Sequence, residues 1–200
     1  MLLKIVQTGD PILRQTARPL SKKEILAPAM QQLLELMRET MRDAPGVGLA
    51  APQVGLPLQL TVIEDDARYL EGVSKERLKA QEREGVPFHV LFNPKITLTD
   101  PTRLTHFEGC LSVASFSALV PRARGVHVEA LDHNAKPVRI DARGWYARIL
   151  QHEIDHLHGA LYIDRMLTRS YTTVENQGRY LEGIPLQELK QALGIVEEKP

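Results

Sequence analysis

The sequence predicts a single α+β domain over residues 1–200, with antiparallel or mixed β-sheets packed around a central helix and a further helix near the N-terminus. Helical periodicity is confined to stretches far apart in the chain. Short strand candidates fill the interval between them, with no regular β-α-β alternation. An apolar fraction of 43% over 200 residues is enough for one full core.

After a turn at Gly9 to Pro11, Met30, Leu33, Leu34, Leu36, Met37 and Met41 recur on one helical face, so a helix is expected from about Ile25 to Met41. Pro45 and Gly46 end it. Strands are expected at Leu58 to Ile63, His89 to Phe92, Ile96 to Thr99, Gly125 to Leu131 and Pro137 to Asp141. Asp132, His133 and Asn134 make the last two a hairpin. The charged run DARYLEGVSKERLKAQEREG, residues 66–85, reads as a solvated loop or a short surface helix. A second long helix should run from Gly144 or Trp145 to Leu157, stopped by a left-handed Gly159. Pro185 to Leu193 suits one more short helix, and Glu197 to Pro200 a frayed end.

Lys+Arg and Asp+Glu are equal at 25 each, which gives no broad electrostatic basis for specific DNA binding or a membrane surface. No apolar stretch approaches the roughly 18 residues of a membrane span. The single cysteine, Cys110, forms no intrachain disulfide and suits a reducing compartment. The apolar run of MLLKIVQTGDPILRQ breaks too early for a signal peptide, and a cytoplasmic protein is expected.

Chemistry enters at LQHEIDHLHG, residues 150–159, where His152, Glu153 and His156 stand in the order H-E-x-x-H. On a helix both imidazoles share one face and can grip one metal ion, with Glu153 beside them. Such a match also arises on ordinary amphipathic helices, and two ligands leave a site incomplete. Tyr162 occupies the position where a metzincin protease carries its last histidine. A thermolysin-like site would draw on Glu175 or Glu182. Cys110, in HFEGCLSVASF, is the other candidate, set against its alternative as a small packed hydrophobe. A third segment, GVGLAAPQ at 46–53, leaves its backbone bare for a ligand and adds the side-chain amide of Gln53.

Taken together, GVGLAAPQ, EGCLS and QHEIDH resemble the three signature motifs of the peptide deformylase family, and the likeness runs from GDPILR to about Met166. The resemblance implies that Cys110, His152 and His156 bind one divalent metal with a position left for water. Fe2+ is the ion expected in the cell, with Zn2+, Ni2+ or Co2+ in preparations. It implies hydrolysis of the formyl amide of N-formylmethionyl nascent peptides, with metal-bound water as nucleophile and Glu153 as base and then acid. The oxyanion would be held by the metal, the backbone N–H of Leu111 and the side chain of Gln53. Val47, Gly48 and Gly109 would add the peptide as an extra strand, and Trp145 and Ile149 would wall the methionine pocket. Arg148, one turn before His152, either orients a neighbour or stands in solvent.

The chain departs from the family pattern at Ala114 to Ser117, where many members carry a proline and then an arginine, so contacts beyond the methionine are open to change. GWYARILQHE resembles the branch that includes organellar deformylases, whereas the GDPILR start favours a bacterial-type cytosolic enzyme. Transient ribosome association is implied by the family, although the tail from Thr172 has no basic run to carry it. Two other readings remain: a zinc peptidase using Glu175 or Glu182, and a silent relative that only binds formylated ends. Glu153 and Gln53 argue against the second.

Overall fold

The computed structural model describes residues 1–195, and the expected fray from Glu197 to Pro200 lies outside them. The helices are α1 (Lys22–Ile25), α2 (Pro28–Asp43), α3 (Lys75–Gln81), α4 (Gly144–Leu157), α5 (Val174–Asn176) and α6 (Leu186–Ala192). The strands are β1 (Gly48–Ala50), β2 (Leu60–Asp65), β3 (Val86–Cys110), β4 (Val113–Leu131), β5 (Pro137–Arg143) and β6 (Thr172–Thr173). They form one antiparallel sheet in the order β1-β2-β3-β4-β5, with β6 added to β4.

The expected first helix is two. Pro28 cannot continue the turn begun at Ser21, whose hydroxyl accepts from the Glu24 N–H in a capping box, and α2 restarts with proline in its first turn. The charged excursion contains α3, capped by Ser74. The strands expected at His89 to Phe92 and Ile96 to Thr99 are one strand, β3, and Gly125 to Leu131 is only the end of β4. They look separate in sequence because Asn93 and Pro94 resemble a turn. Instead Asn93 sits at φ 51 where the register shifts, and its side chain bonds both the N–H and the carbonyl of Leu20 at 2.8 Å. The strand expected from Leu58 begins at Leu60, with Leu58 making an isolated parallel bridge to Arg18. The hairpin of β4 and β5 pairs Leu131 with Pro137, as the turn residues implied.

α2 lays Met30, Leu34, Met37 and Met41 against Leu49, Leu60, Val62 and Phe92. α4 buries Ala147, Leu150 and Ile154 against Val126, Val128 and Leu91, and it packs on all of the strands from β1 to β5. Full burial of each Leu, Ile, Val, Met or Phe among them contributes about 1.5–3 kcal/mol. The helix stops at Gly159, φ +75, where an added Cβ would lie 2.6 Å from the carbonyl oxygen of Arg14. The consequence for function is that α4 is held along its apolar face and closely packed at its Gly159 end, against the strands that carry the site.

Candidate metal and active site

The 3.6-residue period of α4 brings the rings of His152 and His156 to 4.9 Å between centroids. Cys110 comes from the last residue of β3, just past a register shift after Gly109, and its Sγ lies 3.3 Å from His156 Nε2. Donor atoms of Cys110, His152 and His156 all lie within 4.8 Å of one another. Two imidazoles and a thiol form a donor set that fits a divalent transition ion. His152 Nδ1 is bonded to Glu108 Oε2 at 3.0 Å, which fixes the ring and leaves Nε2 available as a ligand.

Glu108 is itself held. Arg122 donates to both of its oxygens at 3.0 Å, and Arg148 donates at 2.6 Å. Burial pushes the Glu108 carboxyl up, but His152 and the Arg122 guanidinium more than offset it, leaving the group well below the usual carboxylate range. Arg148 is therefore buried, at 3% exposure, and also donates to the Val120 carbonyl at 2.9 Å. The solvated alternative for Arg148 is corrected: an isolated buried guanidinium would be costly, and Glu108 neutralises it.

Glu153 is buried at 3% exposure, where Thr61 Oγ1 donates to its Oε2 at 3.3 Å. Burial pushes its carboxyl up to about 7. Gly48 makes room for it: a Cβ on Gly48 would lie 2.2 Å from Glu153 Oε1. Gly48, in the segment whose bare backbone suggested a ligand site, belongs to β1 and pairs with Ile63 of β2.

Gln53 is also buried. Its Oε1 accepts from the Ala50 N–H at 2.8 Å, while Nε2 donates to Ser112 Oγ at 3.2 Å and lies 3.4 Å from Cys110 Sγ. The N-terminal segment laces this region together. Val6 N–H donates to the Gln53 carbonyl at 2.9 Å, Gln7 Nε2 to the Leu111 carbonyl at 2.9 Å, and Thr8 N–H to the Ser112 carbonyl at 2.7 Å.

Gln53, Glu108, Cys110, Arg148, His152 and Glu153 line one cavity of about 320 Å³. Gly46, Val47 and Gly48 form one wall, and Gly109, Cys110 and Leu111 another. Ile149 and Trp145 line the cavity as well, with the indole between the guanidinium of Arg83 at 4.8 Å and that of Arg148 at 5.7 Å. Phe116 and Val174 also line it, and sequence reasoning assigned neither. Arg122 and Thr61 were missed too, since nothing in VPRAR or LTVIED marks those side chains as turned towards buried carboxylates. A larger cavity of about 880 Å³ between α2 and β5 holds none of the expected site residues.

The alternative third ligands are corrected. Glu182 is exposed and pairs with Arg77 at 2.9 Å, and Glu175 is exposed on α5. Neither belongs to the Cys110, His152 and His156 group.

The profile of the polypeptide deformylase family matches residues 2–171. Peptide deformylase 1A, chloroplastic, of Solanum lycopersicum is 46% identical over 172 residues, which cover 86% of this chain and 62% of that protein, so the match spans less than two thirds of its length. The mitochondrial peptide deformylase of Homo sapiens is 39% identical over 170 residues, 85% of this chain and 70% of that one. Among solved structures, the Met-Ala-Ser-bound class I type b peptide deformylase of Acinetobacter baumannii superposes with a TM-score of 0.73 at 32% identity, covering 83% of this chain and 99% of that one.

Proposed function

The chain belongs to the polypeptide deformylase family of hydrolases, and from that membership we propose that it hydrolyses the formyl amide of N-formylmethionyl nascent peptides, releasing formate and a free amino terminus. The observation that carries the reading is the meeting of the Cys110, His152 and His156 donor atoms within 4.8 Å, in a fold where Glu153 is buried beside the same cavity.

In this reading Cys110, His152 and His156 hold one divalent ion, Fe2+ in the cell, with Zn2+, Ni2+ or Co2+ accepted in preparations. When bound, the ion supplies a Lewis acid for the formyl carbonyl and lowers the pKa of water. Glu153, buried beside the cavity, takes the proton from the attacking water and returns it to the departing amine nitrogen. The Leu111 N–H and Gln53 Nε2, the latter giving up its bond to Ser112 Oγ or Cys110 Sγ, donate to the developing oxyanion, and loss of one such donor typically costs about a hundredfold in rate. Glu108 keeps His152 in one orientation, and Arg122 and Arg148 keep Glu108 charged.

The peptide runs as an added strand between Val47 and Gly48 on one side and Gly109 on the other, and main-chain bonding leaves later residues of the nascent chain free to vary. That a relative was solved with Met-Ala-Ser bound supports this class of ligand. Trp145 and Ile149 wall the methionine side chain. Transient association with the ribosome fits such a substrate. The cytoplasm is the proposed compartment, resting on the lone cysteine, while relatives named for chloroplast and mitochondrion make an organelle the competing assignment. No helix among the described residues is long and apolar enough to cross a membrane.

The test is formate release by anaerobically purified protein. Formyl-Met-Ala-Ser should yield one formate and one free amine per peptide, and acetyl-Met-Ala-Ser should turn over at least about a hundredfold more slowly. Cleavage of an internal peptide bond in either would overturn the assignment.

A further inference from the structure

Strand β2 buries both of its faces. Leu60 and Val62 join the core against α2, and Ile63, on the opposite face, joins the core against α4. Thr61 shares the Ile63 face. It pairs with Ala50 of β1 and Leu91 of β3 and has no exposed surface. A central strand buried on both faces calls for an aliphatic side chain here, and valine has the same branched shape as threonine. A hydroxyl in this place costs free energy unless it is hydrogen bonded.

The Thr61 hydroxyl has two acceptors at 3.3 Å, the Leu49 carbonyl and Glu153 Oε2. It has one hydrogen to give, and a carboxylate is the stronger acceptor. Among the described residues no other group hydrogen bonds the Glu153 carboxylate, and Oε1 makes no such bond. Oε1 lies instead over Gly48, where it is the nearest atom to the Cβ that glycine lacks, and Gly48 lines the cavity that also holds Cys110. Thr61 is β-branched, with little freedom at χ1, and its strand is paired on both sides, so its hydroxyl is a donor fixed in place.

We propose that Thr61 is a positioning residue for Glu153: it ties down Oε2, so that Oε1 is the oxygen turned to the attacking water. The proposal rests on the deformylase reading. Thr61 is not among the residues that line the cavity, so it acts through the carboxylate and not on the substrate.

The experiment measures kcat and KM for formate release from formyl-Met-Ala-Ser, together with metal content, on anaerobically purified wild type, Thr61→Val, Thr61→Ala and Thr61→Ser. Crystal structures of wild type and Thr61→Val locate the Glu153 carboxylate independently of activity. Thr61→Val removes the hydroxyl at nearly constant shape. It should lower kcat about tenfold or more, with KM within about twofold, metal content at the wild-type level and the carboxylate displaced. Thr61→Ser, which keeps the hydroxyl, should hold kcat within about threefold. Thr61→Ala should fall as Thr61→Val does, and it carries the test if the valine protein does not fold. A wild-type kcat in Thr61→Val overturns the proposal and leaves the deformylase reading intact, the hydroxyl then serving the Leu49 carbonyl alone. Equal losses in Thr61→Val and Thr61→Ser, or metal lost in step with kcat, also overturn it, because the position would then matter through packing. If wild type releases no formate, the deformylase reading falls and the role of Thr61 with it.

Discussion

Gly48 is the residue whose smallness the site most depends on, because the nearest atoms to an added Cβ are all in the Glu153 carboxylate arm. Gly48→Ala should displace that carboxylate by about an ångström and lower kcat about a hundredfold or more, while the metal content stays at the wild-type level. Loss of metal in parallel would instead mean that the β1 end has collapsed. His106 offers a test by pH. Burial, followed by the Arg148 guanidinium, pushes its imidazole down to about 4 from an ordinary 6.5. Between those values the unfolded chain takes up a proton that the folded chain refuses, so stability should fall as pH drops from about 6.5 to about 4. Denaturant melts of His106→Phe across that window should show a shallower decline than wild type, and an identical slope would contradict the assignment. The meeting of His152 and His156 was readable at this scale because H-E-x-x-H puts them on one helical face, and that of Cys110 with them only through the resemblance of EGCLS to a family motif. The Glu108, Arg122 and Arg148 cluster was not, since sequence does not show that a charge is buried until its partner is placed.

Among the elements, α4 was legible to within a residue because its apolar period and its Gly159 stop agree. The long β3 and β4 ribbon was read only in pieces, because register shifts interrupt the two-residue alternation that marks a strand. β1 carries no strand signal in the sequence, because three residues with a glycine and an alanine show no alternation at all. The N-terminal strap had no sequence signal either, being made mostly of backbone bonds. Through Gln7 it holds the Leu111–Ser112 peptide, next to the one that carries the Leu111 N–H, and the Gln7 Oε1 accepts from the Ala114 N–H at 3.3 Å. Gln7→Ala should therefore lower kcat about threefold to tenfold with little change in KM, since the loosened donor acts only as charge develops on the formyl oxygen. Steady-state kinetics on formyl-Met-Ala-Ser would check it, and a change confined to KM would place Gln7 in substrate binding instead.

Across the whole molecule, three segments distant in sequence converge because α4 packs beneath the sheet. It carries His152, Glu153 and His156, β1 brings Gly48 to the carboxylate, and the end of β3 brings Cys110. The central claim is a division of labour: Cys110, His152 and His156 hold the metal, and Glu153 moves the proton. The most direct test is metal content, measured with formate release on the same anaerobic samples of wild type, Cys110→Ser and Glu153→Gln. The expected result is about one equivalent of metal and turnover in wild type, metal without turnover in Glu153→Gln, and loss of both in Cys110→Ser. A Cys110→Ser protein that keeps a full equivalent of metal and its turnover would contradict the claim, because the third ligand would then lie elsewhere.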